Sequence, residues 1–410
     1  MVHTDILIIG AGPGGASTAL FLAKYGIRST LVDKATFPRD KICGDALSGK
    51  VVEVLKKLDP ILIDELYARQ DDFLGSFGVT FVAPSGQALR VPFKNEITET
   101  SPPPGFISKR IDFDNWLLEQ VRKQPLITLI EDMELRKFEK VVNGYRAISK
   151  AGKVFVAKLI IAADGAYSTF AKEEARLKTE APHNCFGLRA YYKNVSGLDH
   201  QNFIELHFLK DFLPGYFWIF PLPNGYVNVG VGMRADVVHE KKLHLKKEFA
   251  KIIATHPDIS PRFANAEQIG EVKLHGLPLG SKKRPISGDH YILTGDAAML
   301  IDPFTGEGIG NAMMSGMFAA QQAQRCLDAS DFSAEVIEAY DKAVYDRLWS
   351  ELLLSYRMQQ LVNFPSLFNF VVRKANSNAL LRETISAMFE DLDLRARLKD
   401  PKFYFKLLFS

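Results

Sequence analysis

The opening stretch "DILIIGAGPGGASTALFLAKYGIRSTLVDK", residues 5–34, limits the fold more tightly than any other part of the chain. Asp5 to Ile9 is an apolar run of the kind found in strands buried on both faces. Ala16 to Tyr25 is expected as a helix closed by Gly26, and Arg28 to Val32 as the next strand. Between the first strand and the helix, Gly10, Gly12 and Gly15 stand at G-x-G-x-x-G spacing, with Gly14 beside them. That spacing gives a tight turn, lets a pyrophosphate approach the backbone, and seats helix on strand. The helix start adds free N–H groups and a positive dipole end. Asp33, closing the second strand, is placed to accept from ribose hydroxyls, with Lys34 next to it. A chain that begins this way is α/β, with a dinucleotide at the carboxyl edge of its sheet.

Two later segments decide which dinucleotide. "AKLIIAADGAYSTFAK" predicts a strand over Lys158 to Ala162 ending at Asp164-Gly165. "HYILTGDAAMLIDPFTGEGIGNAM" predicts a strand over His290 to Thr294, then Gly295-Asp296, then a Pro/Gly-rich loop opening a helix from about Gly308 to Cys326. A nicotinamide domain has no need of a second glycine–acid site so far along the chain. A ligand with a ribityl chain does, because Asp296 can accept from its hydroxyls. The helix start near Gly308 would favour an anionic reduced ring. These features point to FAD.

A third stretch, "GYFWIFPLPNGYVNVGVG", places Tyr216, Trp218 and Phe220 at alternate positions. On a strand all three rings share one face. From spacing alone they are either the sheet's own core or the wall of a cavity for a greasy ligand.

The 410 residues suit two coupled domains rather than one. A net charge of +3 gives no argument for nucleic acid as partner. Cys43, Cys185 and Cys326 form no CxxC pair, which disfavours structural zinc, an iron–sulfur cluster and a disulfide framework. The histidines show no metal-ligand spacing, and no metal is expected. The N-terminus runs directly into a strand pattern without a signal-peptide profile, and no apolar run approaches the roughly 20 residues needed to cross a bilayer. A reduced, cytoplasmic protein is expected, peripheral to the inner face of the membrane if it touches one. Beyond Ser333 the chain reads as amphipathic helix broken at Pro365. Its Phe-rich, Lys/Arg-dotted end ("FPSLFNFVVRKANSN", "KFYFKLLFS") suits either helices capping the substrate domain or contact with a lipid surface.

Gly10-x-Gly12-x-x-Gly15, Asp164-Gly165 and Gly295-Asp296 together resemble the three fingerprints of the para-hydroxybenzoate-hydroxylase-like FAD superfamily. The resemblance implies that Asp296 contacts the ribose or ribityl region and that the Pro303, Gly306, Gly308 and Ile309 loop contacts the isoalloxazine. "SKRIDFDNWLLEQV" is similar to the helix supplying a cofactor arginine, here Arg110; Met133 completes the cofactor set. One departure is Ala171, followed by Lys172, where the superfamily often carries arginine. Within it, Lys41-Ile42-Cys43-Gly44-Asp45 resembles the basic–x–Cys–Gly–acid segment of geranylgeranyl reductases. Tyr216, Trp218, Phe220, Pro221, Gly230 and Gly232 match that family's Y-x-W-x-F-P-x8-G-x-G signature without a gap.

The implied architecture is a Rossmann-like FAD/NAD(P)-binding domain (1–77, 93–183, 275–330), an inserted antiparallel β-sheet substrate domain (78–92, 184–274), and a C-terminal helical region (331–410). The implied reaction is reduction of isolated C=C bonds in a prenyl lipid, with electrons from NADPH, ferredoxin or a similar donor. Cys43, Asp45 and Tyr216 are the catalytic candidates, and Tyr216, Trp218 and Phe220 the substrate-binding ones. Cys43 reads equally as proton donor or small pocket-shaping group, and Asp45 as an acid raised by burial or a loop cap. A monooxygenase or halogenase, a flavin-only quinone-linked dehydrogenase and a non-catalytic lipid carrier are the competing readings.

Overall fold

A computed structural model describes residues 1–93, 101–378 and 381–382. The final stretch "KFYFKLLFS" and much of "KNEITETSPPPG" lie outside these residues. Among the described residues, two large sheets meet around the main cavity, and a set of C-terminal helices packs against them.

The first sheet places five strands in parallel, in the order Tyr291–Leu293, Val154–Ala162, Val2–Ile9, Ser29–Val32, Ile127–Ile130. All four residues of Ser29–Val32 and the second half of Val2–Ile9 are buried, as an apolar run covered on both sides requires. The carboxyl ends of these strands are drawn level by backbone bonds: Gly10 donates to Val32, Ala163 to Ile9 and Thr294 to Ala162. Gly10, Asp33, Asp164 and Gly295 therefore lie along one edge, where α/β sheets bind their ligands. The first helix is Pro13–Lys24 and starts earlier than the sequence suggested. Pro13 can open it because the first helical position needs no intrahelical N–H bond.

The second sheet has seven strands, in the order Glu267–Pro278, Asn184–Lys193, Tyr226–Arg234, Tyr216–Pro221, Ile204–His207, Gly78–Val82, Ala88–Pro92. All pairs are antiparallel except Ile204–His207 with Gly78–Val82. Its edge strand Glu267–Pro278 runs past the seam expected at 274, because Asn184–Lys193 pairs with it as far as Pro278.

The helix Ile309–Ala329 packs against Pro13–Lys24, and the long helix Ala334–Leu361 packs on both Ile309–Ala329 and the first sheet's far edge. After the break at Pro365, helix Pro365–Ser377 inserts Phe368, Val372 and Ala375 under the second sheet.

Candidate active site

The two faces of the second sheet differ. On its outer face Leu188, Ala190, Phe217, Ile219, Val229 and Val231 pack solidly against Phe249, Ile252 and Phe263. On its inner face the register builds a grid three residues wide. Its rungs are Gly187, Gly232 and Tyr216; Arg189, Gly230 and Trp218; and Tyr191, Asn228 and Phe220. A Cβ at Gly230 would lie 2.2 Å from the Trp218 ring and 2.1 Å from the Leu188 carbonyl oxygen, so only glycine leaves the indole its place. At Gly232 the corresponding contact, to Tyr216, is 3.4 Å. The spacing of the glycines after the aromatic row is thus the spacing of rings on one strand and the floor on the next.

That inner face looks onto a cavity of about 410 Å³. Tyr216, Trp218 and Phe220 line it, as do Gly10, Gly12, Gly14, Asp33, Lys34, Lys41, Cys43, Gly44, Asp45, Arg110, Met133, Asp164, Gly165, Asp296, Gly306, Gly308 and Ile309. One end is apolar, walled by Leu47, Phe93, Phe106, Ile107, Ile204 and Leu206. Two expected residues are not among its lining. Gly15 lies inside the first helix, where a Cβ would sit 1.8 Å from the Gly10 carbonyl oxygen, so it serves helix–strand contact. Pro303 lines a separate apolar pocket of about 30 Å³ behind Tyr216, and its carbonyl accepts from Gln359.

The edge of the first sheet fits FAD on several counts. Gly10 has φ +97°, and a Cβ there would meet the Ala163 carbonyl oxygen at 2.5 Å. No side chain caps the Pro13–Lys24 helix, leaving its N-terminal N–H groups for a phosphate. Asp33 accepts from the Ala11 and Ala35 N–H groups (2.7 and 2.8 Å), which fixes its carboxylate at the edge. Asp164 keeps one buried oxygen without a partner, and burial raises its pKa to about 6. Arg110 pairs in bidentate fashion with Asp114 (2.6 and 2.8 Å), to which Arg39 also donates at 2.9 Å. Lys41 donates to His275 Nε2 at 2.7 Å and lies 3.8 Å from Asp296. Burial and the neighbouring Lys41 push His275 down to about 4, so the imidazole is neutral and able to accept that bond.

The helix start near Gly308 is less bare than the sequence implied. Glu307 accepts from the Gly310 N–H (2.6 Å) and from Ser48 (3.1 Å), and burial raises its pKa. Beneath it, a buried Lys50–Glu351 pair at 2.7 Å joins helix Gly49–Leu58 to the long C-terminal helix.

The Cys43-Gly44-Asp45 turn stands between the two sheets. Asp45 holds φ +70°, a left-handed conformation that Asp tolerates better than most residues. Its side chain is fully buried; Oδ2 accepts from Tyr191 and Asn228, both at 2.8 Å, and Oδ1 has no partner. Burial outweighs those bonds and raises its pKa to about 6. The half-buried Cys43 thiol is raised too, chiefly by burial, which outweighs the favourable charge of the neighbouring Arg110 guanidinium. Where arginine was missing from the expected pattern, Ala171 sits buried in the short helix Thr169–Glu173, its N–H taken by Ser168.

Arg39, Arg189, Tyr191, Asn228, His275 and Glu307 were not singled out from sequence. Arg189, sandwiched between its ion pair with Asp40 and the face of Tyr191, could have been suspected only from the strand register.

A glycine-rich sheet edge, paired acids and a covering sheet around one cavity define an FAD-dependent oxidoreductase. Residues 3–322 match the model of the FAD binding domain family, and the chain belongs to that family. It is 29% identical over 348 residues to a digeranylgeranylglycerophospholipid reductase of Thermoplasma volcanium, covering 84% of this chain and 83% of the relative. It is 28% identical over 380 residues to a menaquinone reductase of Mycobacterium tuberculosis, covering 88% and 84%. Among solved structures, a geranylgeranyl bacteriochlorophyll reductase-like protein of Thermoplasma acidophilum superposes with a TM-score of 0.78 at 25% identity, covering 91% of each chain. A flavin-dependent brominase shares the fold, with a TM-score of 0.77 at 21% identity.

Proposed function

We propose that this flavoenzyme saturates isolated C=C bonds in the prenyl chain of a lipid. The observation carrying the reading is the inner face of the covering sheet: three rings, two of them in register with glycines, facing a void continuous with the cofactor edge. Each methylene taken into such an apolar end contributes about 0.8 kcal/mol. The names of the similar reductases support the substrate class.

FAD, when bound and reduced, would supply the hydride that one alkene carbon takes. Gly10, Gly12, Gly14, Asp33, Asp164, Gly165 and Asp296 are the residues to hold the dinucleotide, with Arg39, Lys41 and Arg110 facing its charges. The other alkene carbon takes a proton from Cys43. Burial keeps that thiol protonated, and the charge of the neighbouring Arg110 favours the thiolate left behind. The Asp45 carboxyl has no exposed surface, so it acts behind Cys43 rather than on the lipid. An unactivated alkene offers no carbonyl to bear charge, so placement and exclusion of water carry the step. Tyr216, Trp218 and Phe220 supply both.

The nucleotide-binding domain follows the first sheet and the substrate domain the second. Electrons come from an external donor such as NADPH or a ferredoxin. No helix of the described residues is long and apolar enough to cross a membrane. Phe364, Leu367 and Phe370, exposed at 63%, 49% and 44%, support peripheral contact with the bilayer that holds the lipid. A cytoplasmic location at its inner face agrees with that reading.

The test is an anaerobic single turnover with photoreduced protein and a geranylgeranyl lipid. Flavin reoxidation should match the appearance of lipid two hydrogens heavier per bond reduced. Reoxidation by oxygen with a halide or an aromatic acceptor, and none by the lipid, would overturn the proposal.

A further inference from the structure

Asn228 does not appear among the cavity's lining residues, yet it touches three residues that do. It is fully buried at the centre of the Tyr191–Asn228–Phe220 rung. One amide hydrogen goes to the Cys43 carbonyl and the other to Asp45 Oδ2, both at 2.8 Å. Its Oδ1 accepts from the Trp218 indole N–H, also at 2.8 Å. The other two members of the rung press on the same turn. Tyr191 donates to Asp45 Oδ2, and Phe220 lies so close to Gly44 that a Cβ there would meet its ring at 2.9 Å. One rung of the covering sheet thus grips a three-residue turn that belongs to the nucleotide end.

We propose that Asn228 is a positioning residue: it ties the lipid-facing indole of Trp218 to the Cys43-Gly44-Asp45 turn, so that the substrate wall and the proton-bearing thiol are set as one unit. The physical reason lies in its three bonds. A buried amide with every partner in place resists displacement, because moving it leaves several buried polar groups unpaired at once. The Asp45 backbone, held at positive φ, has no local preference strong enough to keep the turn in place by itself. Cys43 reaches its position because its own carbonyl is pinned from across the cavity. A lipid that shifts Trp218 also shifts the partner holding Cys43, so the fit of the chain is felt at the thiol. The kinetic part of this inference rests on the alkene-reductase reading; the mechanical tie does not.

The experiment therefore has two arms. In flavin-free protein labelled with 5-fluorotryptophan, the Trp218 resonance is assigned with Trp218→Phe and followed as Asp45 is replaced by Asn. The resonance should move in the parent protein and stay fixed in the Asn228→Ala background. In the FAD-loaded enzyme, Asn228→Ala should keep FAD affinity within about twofold and lose kcat by about 30-fold, with KM changing less. Asn228→Leu keeps the side-chain size but has neither donor nor acceptor, so it breaks all three bonds. It serves if the alanine variant does not fold, and it should show the same uncoupling and the same loss of kcat. Parental kcat in a folded Asn228 variant, or a Trp218 resonance that still answers to Asp45→Asn, overturns the proposal. If the parent itself turns over no prenyl lipid, the reductase reading fails while the fluorine arm still decides the tie.

Discussion

The strand Tyr216–Pro221 has two faces that share a backbone and a composition of large apolar side chains, yet they do different things. Phe217 and Ile219 face outward into close packing with the helix Leu245–Thr255. Tyr216, Trp218 and Phe220 face inward onto a void. The difference is made by the neighbours. Opposite Phe217 and Ile219 stand Val231 and Val229, with a helix above them; opposite Tyr216 and Trp218 stand Gly232 and Gly230. An aromatic row comes to border a void where the adjoining strand carries glycine instead of valine.

The sharpest way to break this contrast is to truncate one ring on each face. Phe217→Ala should lose about 4 kcal/mol of unfolding free energy, as large-to-small changes in a packed core do. Tyr216→Ala should lose less than about 1.5 kcal/mol and act mainly on lipid KM, since the ring is half-buried at a cavity. Equal losses in urea titrations would make the inner face ordinary core. Next in size, Cys43→Ala should slow flavin reoxidation by lipid about 100-fold while the bound flavin spectrum is kept, the usual scale for a lost general acid. An unchanged rate would remove Cys43 from the proton step.

A smaller effect concerns the turn between the faces. Asp45 has a folded pKa of about 6, above its unfolded value of 3.8. The folded state therefore binds the extra proton, and this contribution is complete below pH 4 and lost as pH rises through 6. Asp45→Asn abolishes it, so the variant should gain on the parent by on the order of 2 kcal/mol between pH 4 and 7. Asp164 titrates in the same window and His275 with the opposite sign, but both are common to the two proteins and cancel in the difference. A difference that stays flat across that range would mean Asp45 is not buried as described. Smallest of all, Gly232→Ala should cost about 1 kcal/mol or less, because only the Tyr216 ring must give way, whereas Gly230→Ala should cost more than twice that. Equal costs would blur the distinction between the two floor positions.

Much of the nucleotide end was legible because its demands are local. A glycine at positive φ, or an acid directly after an apolar strand, declares itself within a few residues, as Gly10 and Asp164 do. The ring row was legible as a pattern, but spacing could not say which way it faced. What stayed hidden depends on register between distant strands: Tyr191, Asn228 and Phe220 meet only once three strands are aligned, and Asn228 in "GYVNVGVG" looks like any polar residue in a strand. Gly15 and Pro303 mislead for the converse reason. Both belong to stretches that touch the cavity, and both spend their own atoms on packing.

Gly230 also sets a limit on how this protein can change. A side chain there would strike the Leu188 carbonyl of the next strand, which no rotamer can avoid. At Gly187 and Gly232 the obstacles are only side chains, Leu277 and Tyr216, able to swing aside. Of the three, only Gly187 borders the large cavity, so it is the one door that a lineage adapting to a slimmer or shorter hydrocarbon has to narrow.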